Sequence, residues 1–312
     1  MPSPENPILF EFGPFMIRWY GLLIVTGALL AAYVGTIEAK RRRENPDHVW
    51  NLLIWCLIFG ILGARLYHVL SSPPGASRGF NYYFYEQPFT DYVIFGITIP
   101  FPTALQIWSG GIGIFGALLG GIIAVLIYTY RENLSVWRWL DVLAPGMILA
   151  QAVGRWGNYF NQELYGPPTD LPWGILITNF NQRITPYNDL TAYPLDTMFH
   201  PVFLYESLWN LVGFALMMWI GRKYASKLYD GDILSIYLIW YPLGRLLIEN
   251  LRPDAWVISG IPTAQIVSGL LIILGVGLAV FRHQNPQQAT KPNIDGSGSK
   301  GRRRHRAQQK SS

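Results

Sequence analysis

Seven apolar runs divide this 312-residue chain, and each is long enough to cross a bilayer. About 17–25 predominantly apolar residues suffice for a transmembrane helix. The runs are Phe15–Ile37, Val49–Leu70, Ala104–Tyr128, Val136–Val153, Pro201–Ile220, Ile233–Glu249 and Pro262–Val280. Only 14% of the residues are charged, 51% are hydrophobic, and the mean hydropathy is +0.22. A soluble domain carries about 25% charged residues. That composition argues against a soluble enzyme, a nucleic-acid binder and a disordered protein, and predicts an all-α integral membrane protein with seven transmembrane helices. The first run is expected to be retained rather than cleaved. No basic segment precedes it, and Lys40, Arg41, Arg42 and Arg43 follow it.

Orientation follows from the loops. One alternating set contains Lys40–Arg43, Arg131, Arg138, Arg222, Lys223, Lys227 and the C-terminal tail, and holds 17 of the 24 Lys and Arg residues. The positive-inside rule therefore predicts an outside N-terminus and a cytoplasmic C-terminus. Residues 1–282 read as one membrane domain. Residues 283–312 read as a disordered basic cytoplasmic tail, polar and poor in apolar residues. Two long outer loops, 71–103 and 157–200, are rich in Pro, Asn, Tyr and Phe. Their composition predicts short helices and interfacial aromatic contacts. The single cysteine, Cys56, excludes an internal disulfide and a cysteine-based metal cluster, and its apolar span makes it a packing residue rather than a nucleophile.

Charged side chains inside spans are costly and usually functional. Tyr20, Arg65, Arg155, His200, Glu206, Arg245, Glu249 and Arg252 all map to the outer half of the membrane, with Asn158, Asn161 and Glu163 just beyond the fourth run. Asp141, near the inner end of the fourth run, is the exception. Snorkelling toward headgroups accounts for Arg18, Arg78 and Arg65. It fits Arg245 poorly, because that residue lies deep in its span with Glu249 one turn away. The third run opens on Gly110-Gly111-Ile112-Gly113. Gly116 and Gly120 form a small-xxx-small pair suited to helix packing, whereas backbone N–H groups at Gly110 and Gly111 could meet an anionic headgroup. No HExxH, Walker A or GxSG motif is present. Arginine, carboxylate, Asn and Tyr at one membrane depth suit a phosphate-bearing lipid, since guanidinium binds phosphate oxygens bidentately.

The segment Gly154-Arg155-Trp156-Gly157-Asn158-Tyr159-Phe160-Asn161-Gln162-Glu163-Leu164-Tyr165-Gly166 resembles the signature of bacterial prolipoprotein diacylglyceryl transferases. Arg18-Trp19-Tyr20-Gly21, then His200-Pro201 with Leu204-Tyr205-Glu206, then Gly244-Arg245 through Glu249 to Arg252-Pro253-Asp254 extend the resemblance in order. It implies transfer of the sn-1,2-diacylglyceryl group of phosphatidylglycerol to the lipobox cysteine of a preprolipoprotein signal peptide. The products are a thioether-linked lipid and glycerol phosphate. It implies a multi-pass enzyme of the bacterial inner membrane, with its active site facing the outer leaflet and no metal or cofactor. The partners are phosphatidylglycerol, signal peptides and membrane lipids, with no nucleic acid. Arg155, Arg245, Glu163, Tyr20 and His200 become the candidate catalytic residues. Arg155, Asn158, Gly166, Arg245, Glu249, Gly110 and Gly111 become the candidate phosphatidylglycerol contacts.

Many members of that family have a histidine in the glycine-rich segment of span three, where Phe115 stands here. Phe115 cannot accept a proton. Glu163, His200 and direct attack by a pre-ionised thiolate stay open as routes for the thiol proton, while Glu249 is expected to orient Arg245. Two other functions share the polar cluster: a lipid flippase or transporter, and a different phosphatidylglycerol-consuming transferase. The first is disfavoured by one-sided charge placement and by the absence of an internal repeat.

Overall fold

The computed structural model describes residues 4, 6–12, 15–71, 79–94, 97–107, 110–111, 113–253, 257–258 and 260–285. Among them are seven helices of 18 residues or more: α1 Trp19–Arg41, α2 Asp47–Leu70, α3 Ile114–Arg131, α4 Val136–Asn161, α5 Val202–Lys223, α6 Asp232–Glu249 and α7 Thr263–Gln284. Five of them (α1, α2, α3, α5 and α7) are long and apolar enough to cross a membrane. The other two expected spans are helices of sufficient length but greater polarity. Helix α4 carries Arg138, Asp141 and Arg155 around Pro145, and α6 carries Asp232, Arg245 and Glu249 around Pro242.

The boundaries differ where glycine or a loop intervenes. The third helix begins at Ile114 rather than Ala104, because Gly110 and Gly111 take φ of +82° and +73° and Gly113 is extended. Helix α4 runs past Val153 to Asn161, so most of the signature is helical. Residues Phe15–Arg18 form a strand, β2, paired with β1 (Ile8–Phe12). Three more two-stranded antiparallel pairs occupy loops: β3 (Phe89–Ile94) with β4 (Ile97–Pro102), β5 (Ile175–Leu176) with β6 (Met198–Phe199), and β7 (Val257–Ile258) with β8 (Ile261–Pro262). His283 and Gln284 complete the last turn of α7. Arg78, Ile112, Asp254 and the tail from 286 onward lie outside the described residues.

The chain divides into two compact units, Met1–Pro46 with Trp137–Ser312, and Asp47–Val136. In the second unit α2 and α3 pack with their backbones in contact. A Cβ on Gly63 would strike the Gly116 carbonyl, and one on Gly120 would strike the Phe59 carbonyl. This is the close approach that a small-xxx-small pair permits. Arg65 does not snorkel. It is 4% exposed, and its guanidinium donates to the carbonyls of Thr103, Ala104 and Gly110 at 2.8, 2.7 and 2.7 Å. Its carbon lies 5.0 Å from the Tyr83 ring centroid. A buried guanidinium must find acceptors, and the carbonyls of the Thr103–Leu105 turn and of Gly110 supply them. Cys56 packs inside this unit, its thiol 3.8 Å from the Gly121 carbonyl.

In the first unit α1 and α4 touch through small residues, with a Cβ on Gly27 reaching 3.1 Å from the Ala150 carbonyl. At the end where α6 begins, Asp141 accepts from the amides of Gly231 and Leu234, both at 2.9 Å, and so caps that helix from α4. Buried Arg42 stands 3.5 Å from Asp141 and 3.8 Å from Asp230. Arg138 bridges Asp230 and Glu44 at 3.1 and 2.7 Å. Burial pushes the Asp230 carboxyl above the usual range against the pull of Arg138 and Arg42. At the other end, residues 162–201 fold over a core of Tyr165, Ile175, Ile177, Tyr187, Phe199 and Phe203. Arg183 knits that loop, donating to the carbonyls of Ile177, Tyr193 and Pro194 at 3.0, 2.7 and 3.1 Å.

Candidate active site

The last two turns of α4 and the loop after them form one hydrogen-bonded circuit. Asn158 and Asn161 both donate to Glu163 Oε1, at 2.9 and 3.2 Å, and the Glu163 amide donates back to the Asn158 carbonyl at 3.0 Å. Bonds spanning five and two residues close this circuit because the chain reverses at once. Gln162 and Leu164 both sit at positive φ, +54° and +56°. Asn158 is buried, so its carboxamide needs such a partner. Tyr20 joins this level by packing. Its ring lies against Gly157 so closely that a Cβ there would collide with it. Gly166 makes a second close approach. Its amide donates to the His200 carbonyl at 2.9 Å, and a Cβ would stand 2.9 Å from that of His200.

Three helices converge on one carboxylate. Glu206 of α5 is 5% exposed. Its Oε2 receives Arg155 Nε from α4 at 2.5 Å, and its Oε1 receives Arg245 Nη1 from α6. Arg245 Nη2 meets Glu249 Oε2 at 2.6 Å, one turn along α6. The order is Arg155–Glu206–Arg245–Glu249, two cations and two anions. Breaking such a pair by removing one partner leaves an uncompensated buried charge, which costs about 3–5 kcal/mol. Arg155 and Arg245 keep 21% and 13% of their side chains accessible. Because Arg155 meets Glu206 through Nε, its two Nη groups offer four further N–H donors to an incoming anion.

Packing between α5 and α6 holds this network in register. Trp209 and Trp240 stack with centroids 4.5 Å apart, and each indole N–H donates to the other residue's carbonyl at 2.9 and 3.0 Å. Each ring lies over a glycine of the opposite helix, Gly244 under Trp209 and Gly213 under Trp240. A small cavity beside Arg245 and Glu206 is lined by Trp209, Asn210, Tyr241 and Ile248.

Arg155, Arg245 and Glu249 thus fall into one bonded network, with Asn158 and Glu163 in a circuit formed by the end of α4 and the loop after it. His200 belongs to a different chain of bonds. Its Nδ1 is 3.0 Å from the Tyr205 hydroxyl, which receives Trp173 Nε1 at 3.1 Å. Gly110 and Gly111 belong to the second unit, where Arg65 binds the Gly110 carbonyl and the His68 ring lies on Gly111. Phe115, also there, packs its ring 5.9 Å from that of Tyr67. Glu206 is the residue that sequence reasoning left without a role. Its signal was available, since a carboxylate at the depth of two span arginines requires a partner.

A family model described as prolipoprotein diacylglyceryl transferase matches residues 7–281. Three relatives named phosphatidylglycerol–prolipoprotein diacylglyceryl transferase show the range of similarity. The one from Chloroflexus aggregans is 41% identical over 94% of this chain and 96% of its own length. That from Thermosynechococcus vestitus is 42% identical, covering 85% and 88%. That from Streptococcus equi subsp. zooepidemicus is 38% identical, covering 89% and 96%.

Proposed function

The chain belongs to the prolipoprotein diacylglyceryl transferase family, and from that premise we propose that the four-residue network is where its transfer reaction occurs. The enzyme moves the sn-1,2-diacylglyceryl group of phosphatidylglycerol to a prolipoprotein, the first step of bacterial lipoprotein maturation. The acceptor is the lipobox cysteine thiol of the signal peptide. The thiol gives up its proton to Glu163, to His200 or, by ionising before it binds, to water, and the resulting thiolate is the nucleophile. Its sulfur forms a bond to the glyceryl carbon, the bond from that carbon to the phosphate oxygen breaks, and glycerol phosphate leaves with the electron pair. Charge grows on the phosphate as that bond lengthens, and preorganised donors aimed at developing charge are the largest catalytic resource of such a site. Arg155 supplies donors through its Nη groups while Glu206 holds it by Nε. Arg245 is oriented by Glu206 and Glu249 in turn. Glu163, locked by Asn158 and Asn161, braces the signature loop, and Tyr20 walls it.

The observation that carries this reading is Glu206 gripping both arginines. Two guanidiniums from separate helices are held at one place, where a phosphate group can bridge them. The membrane arrangement belongs to the same proposal: seven spans in the inner membrane, an outside N-terminus and a cytoplasmic C-terminus, supported by the 17 of 24 basic residues on one set of loops. That arrangement places the network at the outer leaflet. Purified enzyme given phosphatidylglycerol labelled in its acyl chains and a lipobox peptide should yield labelled peptide. Lipid scrambling across vesicles without peptide labelling would instead favour a flippase and defeat the proposal.

A further inference from the structure

The first unit holds a second polar cleft that the arginine network does not use. It has a volume of about 130 Å³ and is lined by Arg18, Phe160, Asn161, Asn179 and Gln182, with Pro7 and Gln162 completing the wall. Water occupies about 30 Å³ in the liquid, so the cleft suits a ligand several waters in size. Its walls are built in advance. The Gln162 carboxamide accepts from the amides of Thr178 and Asn179 at 2.8 and 2.9 Å and donates to Thr178 Oγ1 at 3.0 Å, tying the loop to the end of α4. Phe160 is stacked on Trp19 with centroids 4.6 Å apart. Asn179 Oδ1 accepts from the Asn181 amide at 3.1 Å, which leaves Nδ2 as the group it can present. Asn161 spends Nδ2 on Glu163 and presents Oδ1.

Among the described residues the lining therefore combines one guanidinium with carboxamides of both polarities and holds no carboxylate. Arginine in that setting selects phosphate. Carboxamides that donate and accept select neighbouring hydroxyl groups. We propose that this cleft binds a glycerol-bearing phosphate, either the glycerol phosphate released by transfer or the same group on a lipid headgroup. The natural ligand's identity rests on the transferase reading above, whereas the binding chemistry rests on the cleft alone. Asn161 links the cleft to Glu163 and Asn158, so an occupied cleft adjoins the signature loop without occupying the arginine network.

The test titrates glycerol phosphate into purified detergent-solubilised enzyme without peptide, followed by phosphorus NMR. Saturable binding is expected, weakened about tenfold or more in Arg18→Gln, the loss of a charge-assisted hydrogen bond. Asn179→Asp keeps the acceptor for the Asn181 amide but sets a carboxylate in the cleft, and should weaken binding as much. Displacement of the signal by phosphatidylglycerol assigns the headgroup as the occupant, and persistence assigns the free product; both support a site. Binding that is unchanged in both variants, or lost in Arg155→Lys but not in Arg18→Gln, overturns the proposal. Transfer by the wild-type enzyme is assayed separately. Its absence would sink the functional reading while leaving the binding result intact.

Discussion

Arg155 meets Glu206 through Nε, and the proposed mechanism gives its Nη groups to the phosphate. Lysine has one nitrogen and cannot do both. Arg155→Lys and Arg245→Lys should each lose transfer activity by about 10- to 100-fold, the value of one charge-assisted hydrogen bond. The measurement is kcat/KM on folded, purified variants, and near-normal values would reduce both residues to anchors in the headgroup layer. The positions of Arg155, Arg245 and Glu249 were legible in the sequence, because charge inside a span stands out against an apolar background. The sharing of Glu206 was not, since it depends on three helices separated by tens of residues meeting at one depth. Arg65 was misread for a related reason. Its place at a helix end suggests snorkelling, while its acceptors are loop carbonyls some 40 residues downstream.

Among the described residues, apolar run length located every long helix but not every end. The third run stays apolar through its glycines, so hydropathy could not show that positive φ at Gly110 and Gly111 delays α3 to Ile114. The hairpins in the loops are short and lack a clean alternation, which left them unseen. Helix pairing offers a sharper test. A Cβ on Gly244 would collide with the Trp209 indole, a ring stacked on Trp240 and unable to retreat. Gly244→Ala should therefore destabilise the protein by about 1–3 kcal/mol, the usual cost of overpacking. Gly277 in α7 has nothing within 4 Å of an added Cβ. Gly277→Ala should be neutral or stabilising by up to about 1 kcal/mol through helix propensity. Thermal unfolding in one detergent compares them, and equal effects would deny the α5–α6 packing its role.

For the whole molecule, the basic loops predict sidedness. Asn181 lies in the loop after α4 and Ser226 in the loop between α5 and α6, and both are exposed. In a Cys56→Ala background, an impermeant thiol reagent on intact cells should label Asn181→Cys and spare Ser226→Cys until the membrane is opened. The opposite pattern would reverse the orientation and put the arginine network on the cytoplasmic side. In the proposed orientation the charged cluster of Arg42, Asp141, Asp230 and Arg138 lies at the cytoplasmic end, and it ties α1 and α4 to the start of α6.

If sulfur attacks the glyceryl carbon while the arginines take up charge on the departing phosphate, the fate of one oxygen records it. Phosphatidylglycerol carrying ¹⁸O in the bridge between the diacylglyceryl carbon and phosphorus should be turned over with a lipobox peptide, and both products weighed by mass spectrometry. The ¹⁸O should appear wholly in glycerol phosphate, with a thioether-lipidated peptide free of it. Label retained on the lipid transferred to the peptide, or on free diacylglycerol, would mean that the phosphorus–oxygen bond breaks and would contradict attack at carbon.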